Sequence, residues 1–195
     1  MKKKKNIAVT WIVMFILVAA IVGTFFFLSK KNRSENYESE SAQTEVAKLL
    51  DKDLELSYPA TPREVVKFYS RIVKCLYNQE AKKEQSEQLE DKLRLLYDKE
   101  FLEETPFDEY KMLLQDEITE FKEGERSITS YQVASAKNVD TWTADDQEYA
   151  RLVASFTYKE KKQFFKVYEE FALRRDDDGK WKILGWRLAE EEDMQ

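Results

Sequence analysis

Apolar positions along this chain follow three different rhythms. The first is unbroken: from Ile7 to Leu28 no residue carries a charge. As a helix that run spans about 33 Å, enough for a hydrocarbon core of roughly 30 Å. Ile7, Trp11 and Leu28 mark the limits of this predicted membrane anchor, with Phe25, Phe26 and Phe27 near its second end. A cleaved signal peptide has a shorter apolar stretch and a small-residue cleavage site. This run ends instead in Phe-Phe-Phe-Leu-Ser-Lys-Lys, so an uncleaved anchor is expected.

The second rhythm is helical. Thr61-Pro62-Arg63-Glu64 carries a capping residue, a proline suited to the first turn and the glutamate of a capping box. Val65, Phe68, Ile72, Cys75 and Leu76 then recur on one face, and Val66, Tyr69, Val73 and Tyr77 form an adjoining stripe. A second helix is predicted from about Ser86 to Leu102, with Leu89, Leu93, Leu96 and Tyr97 inward, broken at Thr105-Pro106. A third begins with Asp108 as its cap, turns Tyr110, Leu113, Leu114, Ile118 and Phe121 inward, and stops at Gly124.

Beyond Gly124 the period falls to two. Segments near Ile128–Lys137, Tyr149–Tyr158, Phe164–Leu173 and Trp181–Leu188 read as strands, with a short one around Val139–Thr143. In the second, Ala150, Leu152, Ala154, Phe156 and Tyr158 share a face. In the third, Phe165, Val167, Phe171 and Leu173 alternate with Phe164, Lys166, Tyr168 and Glu170. Short polar turns join these strands as hairpins. Helices first and antiparallel strands afterwards predict an α+β fold, three helices packed on a curled sheet.

Charge sharpens the organisation. Lys2, Lys3, Lys4 and Lys5 precede the apolar run and Lys30, Lys31 and Arg33 follow it, with no acid before Ser34. The heavier cluster at the start favours a cytoplasmic N-terminus and a C-terminal domain outside the cell membrane. The expected divisions are a Lys cluster and transmembrane helix over 1–29, a polar linker over 30–60, the folded domain over 61–189 and a solvated acidic tail over 190–195. Glu45 to Leu50 has the composition for a turn or two of helix within the linker. After Arg33, 25 basic residues face 38 acidic ones. So acidic a domain repels nucleic acid. The expected partners are the lipid bilayer and a protein, a second copy included.

Candidate chemistry is sparse. Histidine is absent, which removes the commonest general base and metal ligand. Cys75 is the single cysteine and sits on the apolar stripe, as a small buried hydrophobe does. Asp176-Asp177-Asp178-Gly179 lacks the further alternate ligands of a calcium loop, because Lys180 and Trp181 follow; it reads as an Asp-Gly turn. No cofactor, metal or catalytic set is assigned. Tyr69, Tyr77, Tyr158 and Tyr168 are the candidate pocket-lining residues, and an exposed Trp among Trp142, Trp181 and Trp186 would mark a partner surface.

Three helices followed by a meander ending in Asp-Gly-Lys-Trp181-Lys182-Ile183-Leu-Gly-Trp186 resemble the nuclear-transport-factor-two-like cone fold. The superfamily usually places a strand between its helices, and no strand pattern precedes Ile128 here. More narrowly, residues Tyr58 to Val66, Tyr69 to Ile72, Tyr168 to Phe171 and Leu184 to Trp186 resemble a family of membrane-anchored proteins of unknown function from Gram-positive anaerobes. The resemblance implies a domain outside the membrane that binds or scaffolds without catalysis, as in the cone-fold components of bacterial conjugation machines. Pairing through the sheet is common in that fold. The alternative it leaves open is a small-molecule binder or acid–base enzyme using a pocket of the cone. The superfamily's isomerase residues find no matching positions in this chain.

Overall fold

The computed structural model describes residues 44–194. The anchor at Ile7, Trp11 and Leu28 and the lysines Lys2 to Lys5 lie outside those residues. Among the described residues no helix is long and apolar enough to cross a membrane.

The folded unit starts earlier than residue 61. Residues 44–51 form a helix, α1, that buries Val46 and Leu49 completely. Glu45 pairs with Arg71 at 2.6 Å, and the Lys52 carbonyl accepts from Lys92 Nζ at 2.6 Å. Two apolar residues three apart suffice to dock a short helix that would not stand alone in water. The expected 30–60 linker is shortened accordingly.

Helix α2, Pro62–Tyr77, is the central helix. Thr61 Oγ1 accepts from the Glu64 amide at 3.2 Å, while the Glu64 carboxylate accepts from Ala60 rather than from the cap residue. Both predicted stripes turn inward, and all nine residues are buried except Tyr77, which is half-buried.

The second predicted helix is in fact two, α3 (Lys83–Arg94) and α4 (Lys99–Glu104). Between them the backbone leaves the helical path to pair with the last strand. Ile183 N donates to the Leu96 carbonyl and Asp98 N to the Ile183 carbonyl, both at 2.8 Å. This makes an isolated parallel bridge between Tyr97 and Ile183. Asp98 then caps α4 by accepting from the Glu100 amide. Helix α5, Phe107–Glu123, starts after extended Pro106. Asp108 therefore lies in its first turn rather than at the cap, where a carboxylate still favours the positive helix end.

Five strands form one antiparallel sheet: β1 (Arg126–Val133), β2 (Asp140–Ala144), β3 (Gln147–Glu160), β4 (Gln163–Arg175) and β5 (Trp181–Ala189). The order is β1-β3-β4-β5, with β2 also pairing β3. β1 takes the second half of β3 and β2 the first half. The first strand stops at Val133, short of Lys137, because the Ala134 carbonyl accepts from Arg63 of α2 and a 3-10 turn over Ala136–Asn138 follows. Asp145 and Asp146, both at positive φ, make the β2–β3 turn. At the β4–β5 turn Asp176 Oδ1 accepts from the amides of Asp178 and Lys180, and Gly179 supplies the φ of +75°.

The core lies between the helices and the face bearing Ala150, Leu152, Ala154, Phe156, Phe171, Leu173 and Ile183, each at most 1% exposed. Cys75 joins it, and burial pushes its thiol up to about 12. The acidic C-terminal residues are exposed, yet their backbone does not run free. It forms a 3-10 turn, Glu191–Met194, whose Met194 carbonyl accepts from Asn138.

Candidate functional site

Strand pairing decides what shares the helix-facing side of the sheet. Along β4 the inward set is Phe165, Val167, Glu169, Phe171 and Leu173, facing Tyr158, Phe156, Ala154, Leu152 and Ala150 of β3. On the other side of β4, Glu169 pairs with Leu188 and Phe171 with Trp186. One carboxylate thus stands in an otherwise apolar row. Burial first, and the charge of Glu117 on α5 second, push the Glu169 carboxyl up to about 7.

Two of the four candidate tyrosines, Tyr69 and Tyr158, lie near this acid, and Tyr77 lies beside Glu117. Tyr69 is 6% exposed, and its hydroxyl is pushed well up by burial, then by Glu169. Tyr158 is raised by burial, then by Glu169 and Glu117. Tyr77 is raised by burial, then by neighbouring Glu117. These phenols stay protonated at neutral pH and act as hydrogen-bond donors. Tyr168 is not part of the group. It pairs with Ser155 on the opposite face of the sheet, where the C-terminal Glu191 lies beside it. The alternation that sets Tyr168 with Phe164 and Lys166 prevails over the idea that it lines a pocket.

One end of this helix-facing side is filled by aromatic rings. Tyr69 meets Phe171 edge-on at 5.2 Å and Trp186 at 5.6 Å. Tyr97 stacks on Trp186 at 6.0 Å, and its hydroxyl shares a hydrogen bond with that of Tyr110 at 3.1 Å. The other end is open. Leu188 is 78% exposed and Phe165 40%, both on the face that carries Glu169, and Trp186, at the border of the aromatic cluster, is 39% exposed. Trp142, 43% exposed, stacks on Tyr149 across the outer face instead.

The arrangement sets one titratable acid among exposed apolar side chains, with tyrosines on the same side of the sheet. A carboxyl titrating near 7 exchanges a proton at neutral pH, and its ionised form accepts from a cationic or amide group. No group of three His, Cys, Asp or Glu side chains suited to a metal occurs among the described residues. Sequence reading missed Glu169, although its parity with Phe171 and Leu173 is visible in the strand pattern. Glu117 carries no comparable signal, being one of many acids on α5.

A family model described as Domain of unknown function (DUF6715) matches residues 1–186. The chain belongs to this family. No curated protein matches the chain. The DUF6715 match takes in both the apolar run at Ile7–Leu28 and the folded unit, so the two belong to one family pattern. It stops at Trp186, leaving Leu188 and the acidic C-terminal residues outside the matched part of this DUF6715 chain.

Proposed function

We propose that this is a single-pass membrane protein whose cone-like, nuclear-transport-factor-two-like domain stands outside the membrane. There it binds a protein partner across the open end of its concave face, without catalysing a reaction. The observation that carries this reading is the group of large apolar side chains, Trp186, Leu188 and Phe165, left exposed around Glu169. Contiguous exposed apolar side chains mark interaction sites, and a half-exposed Trp is a frequent energetic anchor of interfaces. The uncharged run from Ile7 to Leu28, flanked by lysines, supports the anchor and its orientation.

A second reading has its own support. Glu169, titrating near 7 beside buried tyrosines, is what a small-molecule binder or acid–base enzyme would carry. The closed aromatic end weighs against it, because those rings fill the space a substrate would need.

One variant tests orientation and contact together. Cys75 is buried, so Leu188→Cys provides a lone accessible thiol. A membrane-impermeant maleimide is expected to label it in intact cells, and labelling only after lysis would refute the orientation. A photoactivatable maleimide at the same thiol is expected to yield one discrete protein adduct, a second copy included, that Trp186→Ala removes. The same adduct from Leu56→Cys, at a remote site 88% exposed, would show no specific surface and overturn the reading.

A further inference from the structure

Away from the concave face, one carboxylate is held under unusual conditions. Glu90 of α3 is only 1% exposed. Gln115 Nε2 on α5 donates to its Oε1 at 2.5 Å, whereas Oε2 is buried and has no hydrogen-bond partner. Leaving a buried acceptor unpaired is destabilising, and more so for a charged one. A leucine at this place, beside Leu89 and Leu93, would avoid the penalty altogether.

Glu90 also lines a cleft of about 480 Å³ between α2, α3 and α5. That volume is in the range of small-ligand sites. Leu76, Ala81 and Ile118 give it an apolar wall, and Lys83, Glu87 and Lys111 stand among its polar residues. Lys111 makes no hydrogen bond to the unpaired oxygen; its Nζ lies 4.0 Å from Glu87 Oε1, with its side chain 38% exposed.

We propose that this cleft binds a small organic cation, whose ammonium group donates to Glu90 Oε2 while its alkyl portion lies on Leu76, Ala81 and Ile118. The unpaired atom selects for a donor, since an ionised carboxylate only accepts. A hard divalent ion requires several oxygen ligands, and no three acidic side chains gather among the described residues. An ammonium needs only one carboxylate and a few neutral acceptors, and Ser86 and Gln79 also line the cleft. Burial, the largest influence, raises the Glu90 carboxyl above its ordinary range, while Lys111 opposes it. A bound ammonium would therefore lower that carboxyl's titration point.

The test uses the full chain in detergent micelles and two probes of equal charge, n-butylammonium and n-butyltrimethylammonium chloride. The second has no N–H to donate. Nuclear magnetic resonance follows the Glu90 carboxyl carbon and the Gln115 side-chain amide. Butylammonium is expected to shift both signals saturably, to bind at least tenfold more tightly than the trimethyl probe, and to lower the Glu90 titration midpoint. Glu90→Gln should remove the saturable response without lowering the melting temperature, because an amide is cheaper to bury than a carboxylate. Equal binding of the two probes, or no saturation by either, would overturn the proposal. The probe comparison needs no variant, so a poorly folding Glu90→Gln leaves it decisive.

Discussion

Glu169→Gln should change how stability depends on pH. In the folded chain the Glu169 carboxyl titrates near 7, raised from an ordinary 4.5 by burial and by Glu117. In the unfolded chain it titrates at its ordinary value. Between those two points the native state holds a proton that the unfolded state has released. Stability contributed by neutral Glu169 is therefore fully present below about pH 4.5, falls as pH rises, and is lost above about pH 7. A shift of this size corresponds to on the order of 3 kcal/mol. The side chain keeps some contact with water, which reduces the effect to about 1–2 kcal/mol. Glutamine preserves the shape and removes the charge. Urea melts of the full chain in micelles, followed by Trp fluorescence, should coincide for the two proteins near pH 4.5. Near pH 8 the variant should be more stable by about 1–2 kcal/mol, about 2–8 °C in melting temperature for a folded unit of this size. Parallel pH profiles, or a variant less stable near pH 8, would refute the claim that Glu169 is buried against its charge.

Three further substitutions probe the frame around the site. Asp98→Ala removes a carboxylate that is 2% exposed and accepts from both Nε and Nη2 of Arg174; urea melts should show a loss of about 3–5 kcal/mol. Glu100→Ala, removing an Arg174 partner that is 60% exposed, should cost less than about 1 kcal/mol in the same assay. Phe171→Ala empties a fully buried position and should cost about 3–5 kcal/mol. It should also change the emission of Trp186, whose ring lies 6.1 Å away.

Much of the fold was legible because its signals are periodic. The double stripe of α2 and the alternation along β3 and β4 each follow from many residues agreeing, so one exception does not spoil them. The single helix expected from Ser86 to Leu102 failed at Leu96-Tyr97-Asp98, where the backbone bonds to Ile183 override a local pattern compatible with helix. No window of sequence contains that partner. The helix at 44–51 was half visible, since Val46 and Leu49 are too few to announce burial against elements that lie far along the chain. At the candidate site, the inward placement of Tyr69, Tyr77 and Tyr158 follows from helix and strand parity, and the same parity puts Tyr168 on the other face of β4. Glu90 lay beyond reach. Nothing distinguishes it from the neighbouring acids of α3 until α5 is packed against it.

The pairing of Tyr97 with Ile183 has a kinetic meaning during synthesis. Tyr58, near the start of the folded unit, likewise donates its hydroxyl to the Trp181 carbonyl at 2.8 Å. Both contacts join the helical half to the last strand, so neither forms until that strand has left the ribosome. The 86 residues separating Tyr97 from Ile183 take about 4–17 s to translate at 5–20 residues per second. Throughout that interval the helices lack the strand that closes them, and the nascent domain cannot lock until Ile183 arrives.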